Sequence, residues 1–304
     1  DGAGPKTFVC DVTAPTSTVT NANIVAGYVN SLPTISGSAN DVAPTTPAGA
    51  QKSDGISNLE IKISSYGATW SVITDWTNTG ISRGVQAGTQ ISTFTYTTSA
   101  PETISGKRYL IKTRSVDNSL DSTGNPGNLE NGDTKTGYTI TYDTHPPTNA
   151  IVFPSDNGNY GPSYQVTVLS ATAQDYPQGS GIYNAGIQKV QVKIYNTVNY
   201  WDGDGFDSAS EVWRDCELVS GEWKYPKAPD VIPNWIDGTY IVYTKAIDNT
   251  GTEELTAKQV QFEYDTQEPT STIKMPNASW HRAFATISGT AQDPGNADAQ
   301  KVEV

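Results

Sequence analysis

One stretch recurs three times, and it constrains the chain more than any other feature. It reads Asp11-Val12-Thr13-Ala14-Pro15-Thr16, then Asp143-Thr144-His145-Pro146-Pro147-Thr148, then Asp265-Thr266-Gln267-Glu268-Pro269-Thr270. Each copy follows an alternating apolar run and precedes a segment rich in Thr, Ser, Val and Ile. Proline has no backbone donor, so pairing stops there before a new strand begins. The copies start 132 and 122 residues apart, a spacing that marks tandem domains. The chain is therefore expected to divide into four parts. Residues 1–12 read as the last strand of a preceding repeat, 13–143 and 144–265 as full repeats, and 266–304 as the first strands of another.

The patterning within each repeat is that of an all-β chain. Short Val/Ile/Thr/Tyr runs alternate, and few stretches carry a helical period. In the first repeat strands are expected at 16–20, 34–39, 59–64, 71–74, 92–97, 108–116 and 137–142. In the second they are expected at 149–153, 165–173, 189–195, 212–214, 222–225, 239–247 and 257–264. In the third they fall at 271–274, 285–291 and 301–304. Seven short strands with regular turn signals predict an immunoglobulin-like β-sandwich in each complete repeat. Tandem copies then predict an extended rod.

The repeats also match one another internally. Ser36-Gly37-Ser38-Ala39-Asn40-Asp41 aligns with Ser170-Ala171-Thr172-Ala173-Gln174-Asp175 and with Ser288-Gly289-Thr290-Ala291-Gln292-Asp293. Tyr109 and Tyr240 each stand eight residues before an aspartate, Asp117 and Asp248. A tyrosine near the start of the sixth strand fits a tyrosine corner, with the ring packed and the hydroxyl tying down a loop.

These pieces, together with Tyr200-Trp201-Asp202-Gly203, Trp213 and Asp237-Gly238-Thr239-Tyr240, resemble the bacterial Ig-like repeats of large secreted or surface-anchored proteins. The resemblance covers essentially the whole chain. It implies a structural or spacer segment at the cell surface, as in an adhesin-like stalk. Alternatives are an accessory sugar-binding region of a secreted carbohydrate-active enzyme, or a subunit of a self-assembling fibre or sheath. Expected partners are other repeats of the same long chain, with cell-surface glycans or neighbouring copies in a fibre as further options.

Composition narrows the chemistry. The formal net charge is −13, which disfavours nucleic acid and anionic membranes but suits divalent cations. No apolar run reaches the roughly 18 residues of a membrane-spanning helix. The two histidines, His145 and His281, fall in different repeats, so no His-rich zinc site is expected within one domain. No nucleophile elbow, phosphate loop or Cys-x-x-Cys occurs, and no catalytic residue is assigned. Glu211, Asp215, Glu217 and Glu222 read as a solvated loop rather than a glycosidase pair. Cys10 and Cys216 are too far apart in sequence for a bridge within one domain, so both read as unpaired thiols, with an intermolecular bridge as the alternative. Trp201, Trp213 and Trp223 are expected to pack rather than to bind sugar. Asp202-Gly203-Asp204-Gly205-Phe206-Asp207 reads as a hairpin tip, with an irregular calcium loop as the alternative.

Strand polarity supplies a metal hypothesis. The second and sixth strands of a sandwich end at the pole where the chain enters. Their terminal aspartates should meet the aspartate of the preceding junction. These sets are Asp11, Asp41 and Asp117, then Asp143, Asp175 and Asp248, then Asp265 and Asp293 with a sixth-strand partner beyond residue 304. Carboxylates so gathered repel one another unless a hard cation joins them, and calcium is the expected ion. The competing reading is that each Asp merely caps its own turn.

Overall fold

Strands of period two bury alternate side chains, and the first unit shows this directly. A computed structural model describes residues 11–32, 34–41, 55–65, 81–85, 91–97, 104–119, 124, 127–276, 282–283 and 286–295. The expected strands at 71–74 and 301–304, and most of 1–12, lie outside these residues. Contacts divide the chain into two units. One comprises 1–145 with 176–185, and the other comprises 146–175 with 186–304.

The first unit contains β1 (Thr16–Val19), α1 (Ala22–Ala26), β2 (Tyr28–Val29), β3 (Thr34–Asn40), β4 (Ile56–Ser65), β5 (Ile81–Val85), β6 (Ile91–Thr97), β7 (Lys107–Asp117) and β8 (Tyr138–Tyr142). One sheet has the order β1-β3-β6-β5 and the other β2-β8-β7-β4. Val19, Ile35 and Tyr96 from the first sheet share a core with Ile61, Ile63, Tyr109, Ile111 and Ile140 from the second. The arrangement is a two-layered sandwich. Helix α1 was not expected from the sequence. It is a single turn that ends at Gly27, whose positive φ of 90° lets its N–H reach back to Asn23 and Ile24.

The second unit contains β9 (Thr148–Phe153), β10 (Gly158–Tyr160), β11 (Leu169–Gln174), β12 (Ile187–Tyr195), β13 (Tyr200–Trp201), β14 (Phe206–Ser208), β15 (Arg214–Asp215), β16 (Glu217–Val219), β17 (Glu222–Tyr225), β18 (Gly238–Asp248), β19 (Lys258–Tyr264), β20 (Thr270–Met275) and β21 (Ser288–Gln292). Its two main sheets run β16-β17-β11-β9 and β10-β19-β18-β12-β13-β14, with β15 also on β12. The strand expected over 165–173 begins only at Leu169, and ahead of it the Val166 carbonyl accepts the Trp235 indole N–H at 2.7 Å. β20 and β21 pair with each other.

The three opening strand pairs share one register. Thr16 faces Asn40, Thr148 faces Gln174 and Thr270 faces Gln292. The junction aspartate lies five residues before each Thr, and the second aspartate one residue after each Asn or Gln. Short parallel strands repeat as well. β2 runs beside β8, and β10 beside β19. Val29 O accepts the Asp143 N–H at 2.9 Å, and Tyr160 O accepts the Asp265 N–H at 2.9 Å. Each unit thus ties down the aspartate that follows β8 or β19.

The aromatic residues divide into core and surface. Trp201 is buried and donates its indole N–H to Tyr225 Oη at 2.8 Å. Trp223 packs at the core's edge. Trp213 lies outside the core, against the Lys193 and Lys245 ammonium groups, so the expected packing role does not hold for it. Trp235 takes the core place instead. Tyr109 Oη accepts the Ile104 N–H at 3.0 Å, and Tyr240 Oη bonds both backbone groups of Ile236. Both hydroxyls thus tie down a loop. Cys216 is buried, and desolvation pushes its thiol up to about 12, so it stays protonated and inert at neutral pH. Cys10 and His281 lie outside the described residues.

Candidate metal centre

Asp41, Asp117, Asp143, Asp175, Asp248, Asp265 and Asp293 each sit where a strand stops, and Asp11 lies ahead of β1. There an Asp side chain accepts from N–H groups a few residues on. Asp11 Oδ1 accepts from Thr13 N at 2.9 Å. Asp41, just after β3, accepts from Gly55 N at 3.1 Å through Oδ2. Gly55 has φ +85°, a conformation that glycine adopts without the Cβ penalty. Asp117, at the end of β7, uses Oδ1 for Ser119 N at 3.0 Å, Ser119 Oγ at 2.6 Å and Asn128 N at 2.8 Å.

These bonds do not exhaust the carboxylates. Asp11, Asp41 and Asp117 each place an oxygen within 4.8 Å of the others. Two oxygens on one calcium ion stand at most about 4.6–5.2 Å apart, twice the bond length. Asp41 and Asp117 are fully buried, and Asp11 is half-buried. Asp11 Oδ2 is buried without a hydrogen-bond partner. Among the described residues neither Asp11 nor Asp117 pairs with a Lys or Arg. At this separation each pair of carboxylates repels by on the order of 3 kcal/mol at an effective dielectric constant of ~20. An oxygen-only set of this span suits calcium. Magnesium demands a tighter octahedron and keeps its waters.

Asn128, which the sequence reading did not single out, braces the group. Its amide donates to Asp117 Oδ2 at 2.8 Å and to the Asp11 carbonyl at 3.0 Å. The preceding Gly127 has φ +81°, and a Cβ there would collide with the Asp117 backbone. Two residues on, Glu130 accepts from Ser17 N and Ser115 N, both at 3.0 Å, and pairs with Lys135 at 2.6 Å. It therefore clamps β1 to β7 beside the carboxylates.

The second unit repeats much of this. Asp248 Oδ1 accepts from Thr250 N at 2.7 Å and Thr252 N at 2.9 Å, while its buried Oδ2 has no partner. Asp175 Oδ2 accepts from Gly186 N at 2.6 Å, as Asp41 does from Gly55. Both aspartates are buried, and each offers an oxygen within 4.8 Å of the other. Glu254 occupies the place of Glu130. It accepts from Asn149 N and Ala246 N, both at 3.2 Å, and so clamps β9 to β18. The neighbouring Glu253 pairs with Lys245 at 2.9 Å.

Asp143 belongs to the first unit and is fully buried. Oδ1 accepts from His145 N at 3.0 Å and Ser105 Oγ at 3.2 Å, and Oδ2 accepts from Ala185 N at 2.8 Å. Asp265 accepts from Gln267 N at 2.8 Å, and Asp293 from Gly295 N at 3.3 Å. A Cβ on Gly295 would collide with the Asp265 carboxylate, so that turn closes on the junction residue.

The other acidic candidates do different work. Asp202 Oδ1 caps the hairpin tip through Gly205 N at 3.0 Å and Asp204 N at 3.2 Å. Those backbone bonds, that from Gly205 foremost, hold its carboxyl at about 2. Glu211 and Asp215 pair with Lys193 and Lys189. Among the described residues no helix is long and apolar enough to cross a membrane.

No protein-family model matches the chain, and no curated protein matches it. Among solved structures it is similar to dimeric latent PorU from Porphyromonas gingivalis, at 12% identity and a TM-score of 0.23. The match covers 84% of this chain but only 20% of that one, so the chain spans about a fifth of that structure's length.

Proposed function

We infer that this chain is a spacer segment of a large bacterial extracellular protein, an adhesin-like stalk of tandem immunoglobulin-like sandwiches stiffened by calcium. The observation that carries the reading is the convergence of Asp11, ahead of β1, with Asp41 and Asp117, at the ends of β3 and β7, and the buried Asp11 Oδ2 left over. Asp11 caps its turn through Oδ1 and keeps Oδ2 over, so there turn capping and metal binding coexist. Strand order supports the domain type. β1-β3-β6-β5 against β4-β7-β8 follows the ABED and CFG order of immunoglobulin domains, and the second unit repeats it.

Asp143, Asp175 and Asp248 hold the register positions in their repeat that Asp11, Asp41 and Asp117 hold in theirs. Asp265 and Asp293 hold the first two of the same positions a third time. Among Asp11, Asp41 and Asp117 calcium would take one oxygen from each and complete its shell with backbone carbonyls or water. The reading assigns no catalysis to the segment and places it outside the cell, where millimolar calcium is available.

Calorimetric titration of the whole chain with calcium tests this. We expect binding with Kd of about 10⁻⁴–10⁻³ M, the range of extracellular modules. Asp41→Asn should remove one site, and small-angle scattering should show a stiffer particle with calcium than with chelator. Absence of a heat of binding at millimolar calcium would leave the aspartates as turn caps only.

A further inference from the structure

A groove of 390 Å³ opens on the second unit between β12, β15 and the turn at 227–230. That volume falls within the range of ligand sites, about 300–1,000 Å³. Its lining includes Lys189, Gln191, Trp213, Asp215, Lys227 and Asp230. The walls are held in place by their own bonds. Arg214 grips Asp230 through both Nε, at 2.8 Å, and Nη2. The Asp230 N–H closes the turn onto Lys227 O at 3.0 Å. Gln191 Nε2 donates to Asp215 Oδ1 at 2.8 Å, and Lys189 Nζ lies 3.4 Å from the same oxygen. Trp213 is anchored by Lys193 and Lys245, whose ammonium groups stand 4.9 and 4.7 Å from its ring centre.

The groove's charge runs against that of the chain. Lys189, Arg214 and Lys227 outnumber Asp215 and Asp230, whereas the whole chain carries −13. Arg214 and Lys189 are engaged by the two carboxylates. Lys227 is exposed, and its charge acts on Asp215 without a direct ion pair among the described residues. The surplus charge is therefore a solvent-facing ammonium beside an indole and several pre-positioned hydrogen-bonding groups. An aromatic plane flanked by such groups matches a sugar ring with its hydroxyls.

We propose that this groove binds a carboxylated saccharide, with Lys227 meeting the carboxylate, Trp213 packing against the ring, and Gln191 and Asp215 bonding its hydroxyls. An acidic peptide would gain the Lys227 contact but would bring no hydroxyl-bearing ring to Trp213, Gln191 and Asp215. It would also leave the polar groups unmatched. The proposal is independent of the calcium reading, since the groove shares no residue with the aspartate sets.

The test uses the whole chain in calcium-free buffer, with three probes. They are a disaccharide carrying one glucuronate, its neutral counterpart, and a glutamate dipeptide. Calorimetry reads affinity, and tryptophan fluorescence reads the ring contact against a Trp213→Phe control. The uronate disaccharide should bind, and its fluorescence change should vanish in Trp213→Phe. The neutral sugar should bind about tenfold more weakly or worse, as expected for loss of a charge-assisted bond. Lys227→Gln should weaken the uronate by a similar factor at an unchanged melting temperature. No uronate binding at millimolar concentration, equal binding of the neutral sugar, an unaffected Lys227→Gln variant or tighter binding of the dipeptide would each overturn the proposal.

Discussion

The two units bury different cores under the same polar frame. The first core is mostly aliphatic, with Ile24, Ile35, Ile61, Ile63, Ile111 and Ile140 around Tyr96 and Tyr109. The second is aromatic, with Trp201, Tyr225, Trp235, Tyr240, Phe262 and Tyr264 among smaller residues. Its larger sheet also gains the β13–β14 hairpin. Yet Asp41 and Asp175, Asp117 and Asp248, Glu130 and Glu254, and Tyr109 and Tyr240 hold equivalent places with equivalent bonds. Core volume can be filled in many ways provided packing is dense. The buried carboxylates do not follow the core, so they answer to a demand at the strand ends that both repeats share.

The largest effect should come from the part that differs. Trp201→Ala removes a buried indole and the bond to Tyr225, and should cost about 3–5 kcal/mol in denaturant unfolding. Trp213→Ala, outside the core, should cost well under half of that. Similar losses for the two would break the division between core and surface aromatics.

Next come the shared clamps. Glu130→Gln and Glu254→Gln each turn one accepting oxygen into a donor facing backbone N–H groups. Each should cost about 1–3 kcal/mol, read on the transition of its own unit. A loss in one unit alone would show that the equivalence of the two frames is only geometric.

The smallest effect sharpens the one difference within the frame. Asp117 Oδ2 accepts the Asn128 amide, whereas Asp248 Oδ2 has no partner. In chelator, Asp117→Asn should therefore destabilise by about 1 kcal/mol, while Asp248→Asn should be neutral or stabilising. With calcium at 10 to 100 times its Kd, the wild type should gain about 1.4–2.7 kcal/mol, and each variant should lose the gain of its site. Identical melting of the two variants in chelator would contradict the role given to Asn128.

Much of this frame was legible because it sits at fixed distances from strong signals. The Asp-x-x-x-Pro-Thr stretch, the Ser-x-x-Ala-x-Asp and Ser-x-Thr-Ala-x-Asp segments and the tyrosine eight residues before an aspartate all keep register with strands of period two. The clamp did not. Glu130 follows Asp117 by 13 residues but Glu254 follows Asp248 by six, because the loop between them changes length. Only the backbone bridges Val116–Leu129 and Ile247–Glu253 reveal that the two glutamates are equivalent. β2 and β10 were missed because two or three residues carry no period of their own. Trp213 is expected in the core and lies outside it, and Trp235 goes unassigned, because a lone Trp has no periodicity to give its direction.

The central claim is that the inward oxygens of Asp11, Asp41 and Asp117 hold one calcium ion. Anomalous diffraction from crystals grown in millimolar calcium tests it most directly. The account predicts one peak among these three residues, with oxygens at about 2.3–2.6 Å and the turn bonds to Thr13, Gly55 and Ser119 still in place. Intact turns with no peak among the carboxylates would contradict it.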